Sequence, residues 1–121
     1  MNITSTFRSL YGWRYKPEKE GLIEYNANFF KDKAIVCERE GRYDYAIKFL
    51  QSAIKEEKDI ENLLGVRYKI ARLYHKKLKQ PQKAINEYKI VSNIAPKGHP
   101  FRRDAYEGIK ELSQLIPSPV S

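Results

Sequence analysis

Residues 41–53 read GRYDYAIKFLQSA, residues 81–96 read PQKAINEYKIVSNIAP, and the second stretch repeats most of the pattern of the first. Both begin with a turn-forming residue and continue through a small residue into apolar positions at helical spacing. The small residues Ala46 and Ala84 are 38 residues apart. Repetition at a period of this length is typical of stacked helical hairpins. The sequence therefore predicts an all-α fold.

Helical spacing extends outward from these two stretches. The predicted helices cover residues 22–40, 43–58, 64–77, 82–94 and 102–116, with a junction or an extra helical turn at 59–63. Gly41 suits the end of the first because glycine adopts the left-handed conformation that closes a helix. Pro81 suits the first position of the fourth, where a backbone N–H is not needed. Small residues at Ala34, Ala46, Ala71 and Ala84 would let antiparallel helices approach closely.

The domain organisation follows from the limits of this periodicity. A chain of 121 residues has room for one domain. Residues 1–16 lack helical spacing and predict an extended aromatic arm, residues 17–116 the helical domain, and residues 117–121 a Pro/Ser tail. The aromatic cluster of Tyr11, Trp13 and Tyr15 in the arm either packs on the domain or docks on a partner or on a second copy in a homo-oligomer.

Charge and composition restrict the classes of function. The net charge is +8, and residues 66–103 hold 11 Lys or Arg against one acid, so this segment carries +10 and the rest of the chain −2. Such a segment attracts acidic partners. The single cysteine, Cys37, excludes an internal disulfide framework. The sequence contains no apolar run of the roughly 20 residues that span a bilayer, so we expect no membrane insertion and a cytoplasmic location.

The two copies resemble the tetratricopeptide repeat. In the first copy the matching positions are Phe30, Ala34, Ala46, Leu50 and Ala53. In the second copy they are Ile70, Ala71, Tyr74, Ala84, Tyr88 and Pro96. The departures are Lys33, Cys37, Lys58 and Arg67, and one extra residue lies between Ala71 and Ala84. The resemblance covers residues 27–96.

The resemblance implies a right-handed superhelical stack of antiparallel hairpins, with repeats at about 27–60 and 64–97 and a capping helix at about 101–116. It also implies an adaptor or scaffold that holds an acidic or extended segment of another protein in a basic concave groove, within a larger assembly. The groove residues it implies are Asn28, Lys31, Ile35, Tyr68, Arg72, Lys76, Arg102 and Tyr106. A clamp for a terminal carboxylate is not expected, because Ile35 and Lys69 stand where that clamp needs Asn.

Two other classes of function remain open at this stage. The alternative function is nucleic-acid binding by the basic second repeat, in which Tyr68, Tyr74 and Tyr88 are interleaved with the cations. Tyr74 and Tyr88 occupy core positions of the motif, which weakens this alternative. Catalysis is not expected, because neither His75 nor His99 has a carboxylate near it in sequence. We predict no metal and no cofactor, since no ligand cluster or phosphate-binding loop occurs.

Overall fold

Five α-helices occupy most of residues 25–116, which are the residues that this computed structural model describes. They are α1 Ala27–Arg39, α2 Tyr43–Glu56, α3 Ile60–Arg72, α4 Pro81–Ile94 and α5 Pro100–Ser113. No strand occurs between residues 25 and 116, so the predicted all-α fold of about five helices is confirmed. The predicted arm with Tyr11, Trp13 and Tyr15 and the predicted tail lie outside the described residues.

One predicted helix start is wrong for a local reason, and the alternative left open at residues 59–63 is decided by the structure. The first helix begins at Ala27, because Asn26 has an extended backbone and its Oδ1 accepts a hydrogen bond from the N–H of Phe29 at 2.9 Å. An asparagine in this position satisfies a backbone donor that has no partner within the helix. Of the two alternatives for residues 59–63, the structure shows the extra helical turn, since α3 begins at Ile60 directly after the extended Asp59.

The extra residue of the second copy is accommodated by a π-helical turn. Leu73–Lys77 continues α3 with the wider i→i+5 pattern, and the N–H of Leu78 donates to the carbonyl of Leu73 at 2.9 Å. An added residue can be absorbed inside a helix in this way without shifting the helices on either side. Ala71 and Ala84 therefore both stay buried although the spacing between them is one residue longer than in the first copy.

Two apolar clusters hold consecutive helices together. The first joins α1, α2 and α3, and the second joins α3, α4 and α5. The alanines expected at close approaches are inaccessible to solvent, at 0% exposure each: Ala34, Ala46, Ala71 and Ala84. The connections 40–42, 57–59 and 78–80 are short, so neighbouring helices pack as hairpins. The prediction of closely packed helix pairs is confirmed.

Lys79 offers a test of the turn between the π-helical turn and α4. It has φ of 54°, the left-handed region that glycine occupies without cost, as Gly41 does at 75°. We expect Lys79→Gly to raise the free energy of unfolding by about 0.5–1 kcal/mol, after allowing for the greater entropy of glycine in the unfolded chain. Urea denaturation measures this change.

The matched control is Lys89→Gly, which places the same substitution at an exposed position inside α4. It should lower the stability by about 1 kcal/mol, because glycine is a poor helix former. If both variants are destabilised equally, the backbone strain assigned to Lys79 is wrong.

Candidate binding cleft

An open cleft of about 430 Å³ lies between α1, α3 and the first turn of α5. Its apolar wall includes Ile35, Val66 and Phe101, and Ile35 is 37% exposed although it is a large apolar residue. Lys31 and Lys69 stand at the edge. A cavity of this size with an apolar wall and a few polar groups is typical of a site that receives a side chain or a small ligand.

The two lysines at the cleft are held by carboxylates. Lys31 Nζ lies 3.2 Å from Glu57 Oε1, and Lys69 Nζ lies 2.7 Å from Glu38 Oε2. Burial acts to raise the pKa of Glu57, but the hydrogen bond from the Asp59 N–H and the Lys31 ammonium outweigh it, so the pKa is lowered. These pairs fix the lysines in place and neutralise much of their charge. The cleft itself is thus amphipathic and only weakly basic.

A basic stripe continues from the cleft along α3. Asn62, Gly65, Lys69, Arg72 and Lys76 follow one another at intervals of three or four residues, so they share a face of the helix and its π-helical turn. Arg72 is exposed and forms no ion pair with any residue in 25–116. Lys76 Nζ lies 3.7 Å from Glu111 Oε2 on α5. Arg72 is therefore the cation of the stripe without a carboxylate partner in that range, although its side chain also hydrogen-bonds Tyr88.

A buried histidine stands beside the far end of the stripe. His75 Nδ1 lies 2.9 Å from Tyr88 Oη, and His75 Nε2 lies 3.0 Å from Glu111 Oε2. Because an ionised carboxylate can only accept, Nε2 carries the proton, and in the neutral ring Nδ1 accepts from the Tyr88 hydroxyl. Burial lowers the pKa of His75, against the effect of Glu111. The hydrogen bond from His75 and the positive charge of the nearby Lys76 in turn lower the pKa of Glu111.

The second histidine connects the cleft wall to α5. His99 Nε2 lies 2.9 Å from both carboxylate oxygens of Glu61, and its Nδ1 accepts from the N–H of Phe101 at 3.0 Å. The carboxylates of both histidines come from far along the chain, at separations of 36 and 38 residues. These separations are close to the repeat period of 38 residues between Ala46 and Ala84. The repeat period is therefore the feature of the sequence that could have indicated each histidine–glutamate pair.

The predicted groove residues fall in several places. Lys31 and Ile35 line the cleft, Arg72 and Lys76 lie on the stripe, and Asn28 is exposed on α1. Sequence reasoning missed the other lining residues of the cleft. They are Leu50, Glu61, Asn62, Gly65, Val66, Lys69 and Phe101.

The remaining three predicted groove residues lie outside the cleft. Tyr68 is half-buried and stacks on Phe101 with ring centroids 4.7 Å apart. It therefore contributes to the α3–α5 contact. Arg102 and Tyr106 line a separate depression of about 510 Å³ at the start of α5.

Two other kinds of site, a metal centre and a membrane-spanning helix, are absent from residues 25–116. Between residues 25 and 116 no group of three His, Cys, Asp or Glu side chains is arranged to hold a metal ion. None of the helices in that range combines the length and apolar character needed to cross a membrane. Comparison of the chain with protein-family models, curated proteins and solved structures finds no match. A function is therefore proposed from the geometry of the cleft and the stripe.

Proposed function

We propose that this chain is a protein-interaction module of the tetratricopeptide type. In this proposal its hairpins form a right-handed superhelical stack, and it acts as an adaptor that holds an extended, acidic segment of another protein within a larger assembly. The repeated motif and the four inaccessible alanines support the fold assignment. The observation that carries the function is the continuity of the amphipathic cleft with the basic stripe on α3.

The two parts of this surface suit two parts of one bound segment. An apolar side chain of the partner would enter the cleft against Ile35, Val66 and Phe101 and remove the exposed surface of Ile35 from water. A carboxylate next to it would meet the planar guanidinium of Arg72, which can bind both oxygens at once. Lys69 already contacts Glu38, and Lys76 contacts Glu111. Each lysine would therefore divide its N–H donors between that glutamate and the acid of the partner.

Selection from a display library of short random peptides tests this proposal without a known partner. We expect enriched peptides to contain an apolar residue next to Asp or Glu. The double substitution Arg72→Glu, Lys76→Glu should weaken the binding of these peptides by about tenfold or more, because it replaces attraction by repulsion. Both side chains are exposed, but the change removes the Arg72–Tyr88 and Lys76–Glu111 contacts, so the free energy of unfolding should fall by about 1–2 kcal/mol. Affinities are therefore compared under conditions in which both proteins are folded.

The control is the double substitution Lys89→Glu, Lys97→Glu, which makes the same change in net charge at exposed residues outside the cleft and the stripe. It should leave peptide affinity within about twofold of the unmodified chain at moderate salt, where distant charges are screened. Ile35→Lys should weaken binding independently by closing the apolar part of the cleft. Equal losses in the two double variants would show that net charge, not the stripe, governs binding.

A further inference from the structure

A second surface combines tyrosine rings with lysines on α2, the π-helical turn and α4. We call it the Tyr–Lys surface, and its members are Tyr43, Tyr45, Lys48, Tyr74, Lys77 and Lys83. Tyr45 and Tyr74 line a depression of about 450 Å³ together with Ile47, Lys48 and Gln51. No residue lining this depression also lines the cleft. The surface is therefore not needed for the function proposed above.

Each tyrosine of this surface has an ammonium group over its ring. Lys48 Nζ lies 5.4 Å from the ring centroid of Tyr45, Lys77 Nζ 5.8 Å from Tyr43, and Lys83 Nζ 5.7 Å from Tyr74. Such contacts are worth about 0.5–1 kcal/mol at exposed sites, so they can be exchanged for a better partner. A flat ligand group could thus displace a lysine from a ring face while the lysine remains beside it.

The lysines of this surface lack the carboxylates that accompany lysines near the cleft. Lys48, Lys77 and Lys83 are exposed and form no ion pair with the residues that the structure describes. Lys79 follows in the adjoining turn and is also exposed without such a pair. Asp44 is the one acid among the residues lining the depression. The mutual repulsion of these cations would be relieved by an anionic ligand.

We propose that the Tyr–Lys surface binds single-stranded nucleic acid. Phosphates of one strand would contact Lys48, Lys77 and Lys83, and bases would stack on the faces of Tyr45 and Tyr74 that the lysines vacate. Alternation of cations with aromatic rings is the arrangement that recognises single strands without sequence preference. Of the two rings, Tyr45 is exposed, and Tyr74 is half-buried against both apolar clusters, so Tyr45 is the main stacking residue. An acidic protein would use the lysines but gain little from the rings, which is why the observations favour a nucleic acid.

This placement differs from the sequence-based alternative, which used Tyr68, Tyr74 and Tyr88. Tyr88 is 1% exposed, so it would have to leave the core to stack on a base, and Tyr68 would have to break its α3–α5 contact with Phe101. Of those three tyrosines, Tyr74 alone belongs to the surface proposed here. Tyr45, on α2, is 42% exposed and takes the place of the other two.

Fluorescence anisotropy with a labelled oligouridylate and a labelled oligothymidylate tests the proposal directly. We expect both to bind the full chain, and duplex DNA of equal length and polyglutamate to bind at least about tenfold more weakly. Tyr45→Ala should weaken single-strand binding by about five- to a hundredfold, the range expected for loss of one stacked base. Tighter binding of polyglutamate than of either strand, abolished by Lys48→Glu, Lys77→Glu, Lys83→Glu, would overturn the proposal in favour of an acidic protein.

Two triple variants of equal net charge distinguish binding at the Tyr–Lys surface from general electrostatic attraction to the whole chain. Lys48→Glu, Lys77→Glu, Lys83→Glu should reduce single-strand affinity at least about tenfold more than Lys55→Glu, Lys89→Glu, Lys110→Glu does, measured at the same salt concentration. Equal losses would overturn the proposal, as would unchanged affinity in Tyr45→Ala. Because all seven side chains are exposed, far-ultraviolet circular dichroism should show the same helix content in every variant.

Discussion

Replacing Gly108 by alanine is expected to lower the free energy of unfolding by about 2–3 kcal/mol, although alanine is the better helix former by about 1 kcal/mol. A Cβ at this position in α5 would lie 2.6 Å from Cε2 and 2.8 Å from Cζ of Tyr88. The ring cannot move away easily, because it is 1% exposed and its hydroxyl is bound to His75. Urea denaturation of the two proteins measures the difference.

Gly65→Ala is the matched control, since it makes the same change inside α3 where a Cβ would have no neighbour within 4 Å. It should raise the stability by about 0.5–1 kcal/mol. In a Tyr88→Leu background the cost of Gly108→Ala should shrink, because the two sites are in contact and their effects do not add. A stabilising effect of Gly108→Ala would show that α5 does not approach Tyr88 this closely.

Signals confined to neighbouring residues predicted the helices well. Gly41 has the left-handed backbone expected after the first helix, and Pro81 begins α4 as its fixed φ allows. For residues 59–63 the sequence leaves a junction and an extra helical turn open, and the structure has the helix from Ile60. The prediction followed apolar spacing from Leu64, and the exposed first turn of α3, from Ile60 to Asn62, carries little of that spacing.

The environment of His75 could not be predicted from its sequence neighbours. The π-helical turn depends on one added residue whose place inside α3 no local signal marks. Within that turn His75 is buried between Tyr88 of α4 and Glu111 of α5. Both partners are brought to it by the packing of three helices, so the network exists only once the fold is known.

The chemistry of the cleft was predictable in part. The resemblance gave Lys31 and Ile35 correctly as neighbours on one face of α1, because helical spacing decides this. It overstated the positive charge, since Glu57 and Glu38 neutralise Lys31 and Lys69 across helices. Net charge by segment does not reveal such pairs, and among the cations of the stripe they leave Arg72 without a carboxylate partner in residues 25–116.

The stability of the protein is expected to fall as the pH is lowered through and below 6.5, and His75 is the residue responsible. Burial lowers the pKa of His75 below 6.5, while Glu111 opposes this, and Lys76 and Arg72 add to it. Between the folded pKa and 6.5 the unfolded chain therefore binds more protons, so the stability is complete above 6.5 and declines below it. Burial raises the pKa of Glu87, so this residue makes the protein less stable as the pH rises above 4.5, opposite to the effect of His75. The contribution of His75 is therefore obtained by subtracting the stability of a variant from that of the unmodified protein at each pH.

His75→Gln should cost about 1–3 kcal/mol at pH 7, because glutamine cannot satisfy both Tyr88 and Glu111. It should also remove the fall in stability that His75 causes at low pH. The difference in free energy of unfolding between the two proteins should therefore narrow as the pH falls from 7 to 5. Glu111→Gln should act oppositely and steepen the decline, since the carboxylate that favours protonated His75 is gone. Urea denaturation at several pH values gives all three curves. Parallel curves for the unmodified protein and His75→Gln would mean that the pKa of His75 is the same in the folded and unfolded states, and that the buried Tyr88–His75–Glu111 contact does not control the response to acid.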